Sequence, residues 1–445
     1  MENVLTRVNG DVAGIDVGSR QYFVGVNTQE GGGEVKNFDT YTDGCRQLLA
    51  YLLGNGVKKV AMEATGCYWK VLYSMLTEAG IDVTVSNGRH VKHVPGRKTD
   101  VKDCAWIKEL HSYGLLKKSF VPGAEVGELR HYMRIREKDI ENKSDAVRRM
   151  DKALVGMNIR LGNAISDIQG KSGLAIIKAI LDGQREPSEL VKLCDGRIAP
   201  EKREDVLKSL EGLYDKANLF ALGHAYGHYC FYTGEIQKCD TEIESLLGKM
   251  SEGKPEVSEE EKFKRVYHNR PAIKDLDTMV MQIYGGKNLT VLPGITSYTL
   301  LKFLSETGTD LSAWPTAERF TAWMGLAPSQ YQSGSTRKYK KIKYTNAAGQ
   351  ILKEAVQSLL RSKHCALGLW GRQVAARRGP SVAIKGMARK LAVWIYNIIT
   401  KGLAFVENGI KQYEDQQRDK RLKRLKKEAA KLNFALVDLQ TAEMA

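Results

Sequence analysis

Four acidic residues stand where carboxylates could share a metal-dependent phosphoryl-transfer site: Asp16, Glu63, Asp100 and Asp103. Asp16 closes the stretch DVAGID and Glu63 closes KKVAME, and both stretches read as strands. In an open α/β sheet the strand ends gather along one edge and face a common crevice. Asp100 and Asp103 stand at i and i+3 at the start of a helical stretch, so they share one helix face. Four converging acids repel one another unless cations bind between them. A pair of hard divalent cations would neutralise them and clamp the attacking and leaving oxygens of a phosphodiester. An all-oxygen donor set favours Mg²⁺ or Mn²⁺ over zinc. Taken singly, each acid has a plainer role. Asp100 can cap a helix with Asp103 in its first turn, and Glu63 can be a solvated strand end. The order strand-Asp, strand-Glu, helix-Asp-x-x-Asp is more specific than any one acid, but spacing alone leaves both readings open.

A second candidate centre lies far downstream. Gln330-Tyr331-Gln332-Ser333-Gly334-Ser335 precedes a basic run of Arg337, Lys338, Lys340, Lys341 and Lys343. A serine hydroxyl beside glycine could attack a phosphodiester, and the surrounding cations would steady the pentacovalent transition state. On chemistry alone a polar turn with a phosphate-binding loop is the favoured reading. Arg97 and Lys98, beside Asp100, are well placed to hold a phosphate near the metals. The tail RDKRLKRLKKEAAKL reads as a basic helix; Arg421, Lys423 and Arg424 are its candidate contacts to a nucleic-acid backbone. A solvated charged helix is the alternative. His224 and His228 stand at i and i+4 with Cys230 and Cys239 downstream, but no fourth ligand has close zinc-site spacing, so helix packing is favoured.

The elements that must position these residues follow from patterning. Residues 11–118 alternate strands with helices, which implies an α/β sheet domain over 9–120. After Pro122-Gly123 the charge becomes dense and mixed. Residues 125–163 read as one long helix, and 121–250 as a helical connector with coiled-coil character. Residues 251–285, with Glu259-Glu260-Glu261 and two prolines, read as a polar linker or insertion. A mainly α unit spans 286–402 and carries the serine; 403–445 is the basic helical tail.

Several stretches resemble, in order, the DEDD insertion-sequence transposases, the family that includes bridge-RNA-guided recombinases and Piv-type DNA invertases. They are GIDVGS (14–19), MEATGCYWKVLY (62–73), RHVKHVPGRKTDVKDCAWIKELHSYGLL (89–116), SDIQGKSGLAIIKAILDG (166–183), LPGITSYTLLKFLSETGTD (292–310), FTAWMGLAPSQYQSG (320–334) and ARRGPSVAIKGMARKLAVWIYNII (376–399). The resemblance implies a RuvC-like, RNase H-like α/β N-terminal domain, then a helical connector or coiled coil, then a mainly α transposase domain. The family's four acids fall on Asp16, Glu63, Asp100 and Asp103. Its nucleophilic serine falls on Ser333, after Gly325-Leu326-Ala327-Pro328, with Ser335 the runner-up. The sequence departs from the family pattern at Ser335 and at Tyr344-Thr345-Asn346. The resemblance also implies a composite site, with the acids of one protomer acting beside the serine of another, and guidance of some members by a structured RNA.

Composition is consistent with such a role. The chain has 445 residues, enough for two or three domains, and a formal net charge of +16 that favours nucleic-acid partners. No apolar run reaches the roughly 18 residues of a membrane span, and the N-terminal stretch lacks a signal-peptide core, so a prokaryotic cytoplasmic or nucleoid location is expected. Seven scattered cysteines without a CxxC pair suit a reducing compartment. The expected protein is a recombinase acting on donor and target DNA with a bridge RNA and Mg²⁺ or Mn²⁺, as a homo-oligomer in which dimers pair into a tetramer. A structure-selective nuclease of RuvC type without a covalent intermediate is the runner-up. A nucleic-acid-binding protein with a decayed site is a third reading, disfavoured because all four acids are present.

Overall fold

The computed structural model describes residues 7–27, 35–88, 100–257, 263–264, 266, 268–333, 336–340, 344–362 and 365–434, with backbone alone at 100–101, 329–333, 336–340, 405–414 and 416–417. Two compact units divide the chain, Met1–Val121 and Pro122–Ala445.

The first unit is built on a mixed five-stranded sheet. Its strands are β1 (Val12–Val17), β2 (Gln21–Val26), β3 (Val35–Asp39), β4 (Lys59–Glu63) and β5 (Asp82–Ser86), in the order β3-β2-β1-β4-β5. The β1–β2 and β2–β3 pairs are antiparallel; β1–β4 and β4–β5 are parallel. Parallel neighbours need a crossover, and α1 (Thr42–Gly54) and α2 (Trp69–Glu78) supply the two required here.

Strand periodicity of two divides the sheet residues between its faces. Ile15, Val17, Tyr22, Val24, Val60, Met62, Val83 and Val85 pack with Leu48, Leu52, Leu72 and Leu76 of the crossover helices into one core. The alternate residues, among them Gly14, Asp16, Phe23, Ala61 and Glu63, belong to the opposite face. Helix α3 (Asp100–Ser112) packs on that face against β1, β2 and β4. Its Ile107 and Trp106 meet Ala61 and Leu116 in a smaller apolar cluster. Strand β3, absent from the elements expected from patterning, is a half-exposed edge strand whose residues VKNFD lack apolar alternation.

The second unit is mostly helical. Helices α4 (Ala124–Gly156) and α7 (Lys216–Ser251) lie along each other. Helices α5 (Lys171–Leu181) and α6 (Pro200–Ser209) close a core at one end of that pair, with Leu154, Met157, Ile176, Ile180, Val206 and Leu222 buried in it. The long helix expected over 125–163 stops at Gly156, because Asn158 takes a left-handed conformation (φ 57°) that the helix cannot continue through. Within the stretch expected to be a polar linker or insertion, α8 (Leu276–Ile283) buries Leu276, Val280, Met281 and Ile283, a short apolar repeat that the acidic run beside it obscures in the sequence.

The chain continues through α9 (Ser297–Thr307), α10 (Ala317–Trp323), the antiparallel pair β6 (Ser329–Ser333) and β7 (Thr336–Lys340), then α11 (Ala347–Gln357), α12 (Ala366–Arg378), α13 (Pro380–Lys401) and α14 (Leu403–Lys431). Phe303, Trp314, Phe320, Trp323 and Tyr396 form an aromatic cluster, and the Tyr396 hydroxyl donates to the Trp314 carbonyl at 2.8 Å.

A buried ion pair ties these helices together. Arg136 of α4 is 1% exposed and donates to Asp240 of α7, the Tyr298 hydroxyl of α9 and the Asn269 carbonyl. Asp240 also accepts the Ala272 backbone N–H at 2.9 Å. Removing one member of such a pair strands the other charge, which costs about 3–5 kcal/mol. Asp240→Ala should lower unfolding stability by that amount in a denaturant titration, and Arg136→Ala by a similar amount.

Candidate functional site

The carboxylate site grows from the sheet register. Ile15 of β1 pairs with Met62 of β4 in parallel register. The next residue on each strand is Asp16 and Glu63, so the two acids stand side by side at the carboxyl ends of adjacent strands, on the face that α3 covers. Asp16 lies opposite Phe23 on β2, and Glu63 opposite Ser86 on β5.

Helix α3 brings in the third acid, and Gly14 sets its distance. A Cβ at Gly14 would collide with the backbone of Cys104 and Lys108. A Cβ at Gly25 would lie 3.7 Å from Cys104 Sγ. The helix therefore rests directly on the backbone of β1, and its first turn sits against the strand that ends in Asp16. Burial, and then the negative charge of Asp16, push the Cys104 thiol up to about 11.

Asp16, Glu63 and Asp103 line one cavity of about 860 Å³. Its other walls are the β1–β2 turn, with Gly18, Ser19, Arg20 and Gln21, Phe23 of β2, and the segments leaving β4 and β5, with Ala64, Thr65, Asn87 and Gly88. The turn is closed by Gly18 N–H donating to the Gln21 carbonyl at 3.1 Å. Gly88 passes so close to the Glu63 carboxylate that a Cβ there would overlap it. Asp100 is the first residue of α3, one turn before Asp103. Arg97 and Lys98 lie outside the described residues. Sequence reasoning missed Ser19, Arg20, Thr65 and Asn87; their signal is position, in the segments that leave strands ending at the site.

Among the described residues, no three His, Cys, Asp or Glu side chains close on one point as a metal cage. Mg²⁺ is commonly held by one or two carboxylates plus waters and substrate phosphates. An open cavity with three spaced carboxylates and oxygen donors suits that mode. His224 and His228 have ring centroids 4.3 Å apart, within a row that includes Phe220 and Tyr232 on α7. They do not join Cys230 and Cys239 in a metal cluster among the described residues.

The serine segment is a two-stranded ribbon rather than the loop expected from its polarity. Ser333 ends β6 and pairs with Thr336 of β7; Arg337, Lys338 and Lys340 follow on β7. Ser335, Lys341 and Lys343 lie outside the described residues. The ribbon's base is pinned. Asn346 donates to the Trp323 carbonyl, and its side chain accepts from Gly349 N–H at 2.9 Å, capping α11. Gly325 (φ 71°) lies under Tyr344 and Thr345 where a side chain would clash. Arg421, Lys423 and Arg424 are exposed on α14.

Two family profiles match the chain. A DEDD-type transposase profile of the IS110 group, described as Transposase, matches residues 13–159. A second, described as Transposase IS116/IS110/IS902 family, matches residues 286–367. The first match contains all four acids and the second contains Ser333. The chain belongs to the IS110 family of DEDD transposases and is a DNA transposase/recombinase. A DEDD domain implies use of a divalent metal ion. No curated protein matches the chain. Among the described residues, no helix is long and apolar enough to cross a membrane.

Two outcomes follow from this geometry. Gly14→Ala should cost about 1–3 kcal/mol in denaturant unfolding, because α3 must lift off β1. In iodoacetamide labelling at pH 8, exposed Cys67 and Cys230 should react while buried Cys104, held in its thiol form, stays unmodified.

Proposed function

We propose that this transposase joins DNA through a serine nucleophile, Ser333, assisted by divalent cations held on an RNase H-like (RuvC-like) domain. The observation that carries the reading is the convergence of Asp16, Glu63 and Asp103 on one cavity at the carboxyl ends of β1 and β4. A mixed sheet with helices on both faces is compatible with that domain class. Asp16, Glu63, Asp100 and Asp103 would hold Mg²⁺ or Mn²⁺. When bound, such ions neutralise phosphate charge and lower the pKa of an attacking hydroxyl.

In the proposed step Ser333 Oγ attacks a DNA phosphorus. The serine O–P bond forms as the bond to the departing DNA oxygen breaks. The Oγ proton passes to a carboxylate or to water, and the departing oxygen takes up a proton. The phosphodiester is thereby stored as a serine ester, which a second DNA hydroxyl can attack. Arg337, Lys338, Lys340, Lys341 and Lys343 surround the phosphate with positive charge; Arg97 and Lys98 do so beside Asp100. Arg421, Lys423 and Arg424 contact nucleic-acid backbone along the basic tail.

The acids of one protomer act beside the serine of another, in dimers that pair into a tetramer. Exposed Phe220 and Phe231, with His224 near them on α7, support a contact between copies there. A structured bridge RNA selects the DNA, in keeping with the net charge of +16. In this reading 9–120 is catalytic, 121–250 connects and pairs protomers, 251–285 links, 286–402 carries the serine and 403–445 is the tail.

Asp16→Asn, Glu63→Gln and Asp103→Asn should each reduce strand exchange by at least about 100-fold while leaving DNA binding in place. Ser333→Ala should abolish exchange and the covalent protein–DNA adduct seen on denaturing gels, and Ser335→Ala should retain both. Normal exchange by Ser333→Ala would instead assign the attack to another group.

A further inference from the structure

The carboxylate cavity has one cationic side chain among its described walls. Arg20 is exposed in the turn between β1 and β2, four residues after Asp16 on the same chain segment. With Asp16, Glu63 and Asp103 counted at −3 and Arg20 at +1, the described lining carries −2. No carboxylate or carbonyl among the described residues pairs with the Arg20 guanidinium. Arg197, by contrast, pairs with Asp195, and Arg130 and Arg134 pair with Glu306.

The turn that presents Arg20 is fixed rather than loose. Gly18 N–H donates to Gln21 O, the Thr40 hydroxyl donates to Ser19 O at 3.3 Å, and a Cβ at Gly18 would press on the Gln21 carbonyl. Across the cavity stand Thr65 and Asn87, neutral donors on the segments that leave β4 and β5. Thr65 is held by its own N–H bond to Glu63 O at 2.9 Å, and Ala64 N–H bonds Ser86 O at 2.9 Å.

We propose that Arg20 is the phosphate-binding residue of this cavity, taking a non-bridging oxygen of the DNA strand whose phosphodiester reacts. The inference rests on the reading of the cavity as the phosphoryl-transfer site. A phosphodiester approaching the acids meets repulsion that cations bound between the carboxylates offset on one side only. A planar guanidinium on the rim offers forked donors to the anionic oxygens, with no proton to lose at neutral pH. It would hold the phosphate in one orientation before the attack begins, with Thr65 and Asn87 bounding the opposite wall.

The test pairs protein and substrate changes, using full-length protein and a DNA oligonucleotide bearing the element's end sequence. One substrate is all phosphodiester. The other two carry a methylphosphonate of either configuration at the reacting phosphate, which removes one non-bridging charge. Arg20→Ala should lower joining about 100-fold on the phosphodiester, with Arg20→Lys recovering about 10-fold of that. On one methylphosphonate isomer the Arg20→Ala loss should shrink to within about 3-fold, because the oxygen it holds is gone. The slope of log K against log salt for oligonucleotide binding should flatten by about 0.9 in Arg20→Ala.

Equal losses on all three substrates, or wild-type joining by Arg20→Ala, would overturn the proposal. Asp16→Asn, run in parallel, separates the two levels. If it joins DNA normally, the reading of the cavity fails. If it is inactive while Arg20→Ala matches wild type, only the role of Arg20 fails.

Discussion

The contact between the backbone of α3 and that of β1 at Gly14 is the constraint on which the site depends. Two acids come from strand ends, and their separation is set by hydrogen-bond register alone. The third comes from a helix, whose distance from the sheet is set by whatever lies beneath it. With glycine at position 14 nothing lies beneath it, and the Cys104 and Lys108 backbone occupies the space a side chain would take. Neighbouring Ala61 and Gly25 keep the rest of that face shallow. The opposite face, filled by leucine, valine and isoleucine, holds the sheet rigid, so the approach of α3 is transmitted to the acids rather than absorbed. Charge repulsion among the carboxylates is thus held in place by apolar packing some distance away, on the far side of the sheet.

The second unit solves a different problem by the same means of fixing backbone. Its serine lies at the end of a short two-stranded ribbon, which on its own would be marginal. Asn346 joins the ribbon's return to Trp323, and Gly325 lets the backbone of Tyr344 and Thr345 approach closely. Behind this base stands the aromatic cluster of Trp314, Phe320, Trp323 and Tyr396. Further back, the Arg136–Asp240 pair and the Arg130 and Arg134 contacts to Glu306 lock α4 to α7 and α9. Burial lowers the affinity of Arg130 for its proton while Glu306 opposes that shift, and Arg130 also donates to the Ser305 and Glu306 carbonyls.

Much of the first unit was legible in the sequence because strand alternation is strong there. Asp16 and Glu63 each end an apolar run, and parity alone puts them on one face. What was not legible is closeness. Nothing in a one-dimensional pattern says that Gly14 lets a helix touch the sheet, and nothing marks Arg20, whose importance comes from where a tight turn ends up. The β6–β7 ribbon was missed because its strands are polar; the hairpin-type pair Gly334-Ser335 between them was the available signal. Helix α8 was missed because eight residues give too short a periodic window beside a charged run. The break at Asn158 was missed because a left-handed asparagine looks like any polar helix residue.

The central claim is that Asp16, Glu63, Asp100 and Asp103 hold divalent metal at one edge of the sheet. Loading the full-length protein with Fe²⁺ in place of Mg²⁺ and adding ascorbate and peroxide releases hydroxyl radicals at the metal, which cut the backbone nearby. Peptide mapping should find cuts clustered around residues 16–20, 63–65 and 100–103, suppressed by excess Mg²⁺ and absent in Asp16→Asn. Cuts elsewhere in the chain, or the same cuts in Asp16→Asn, would contradict it.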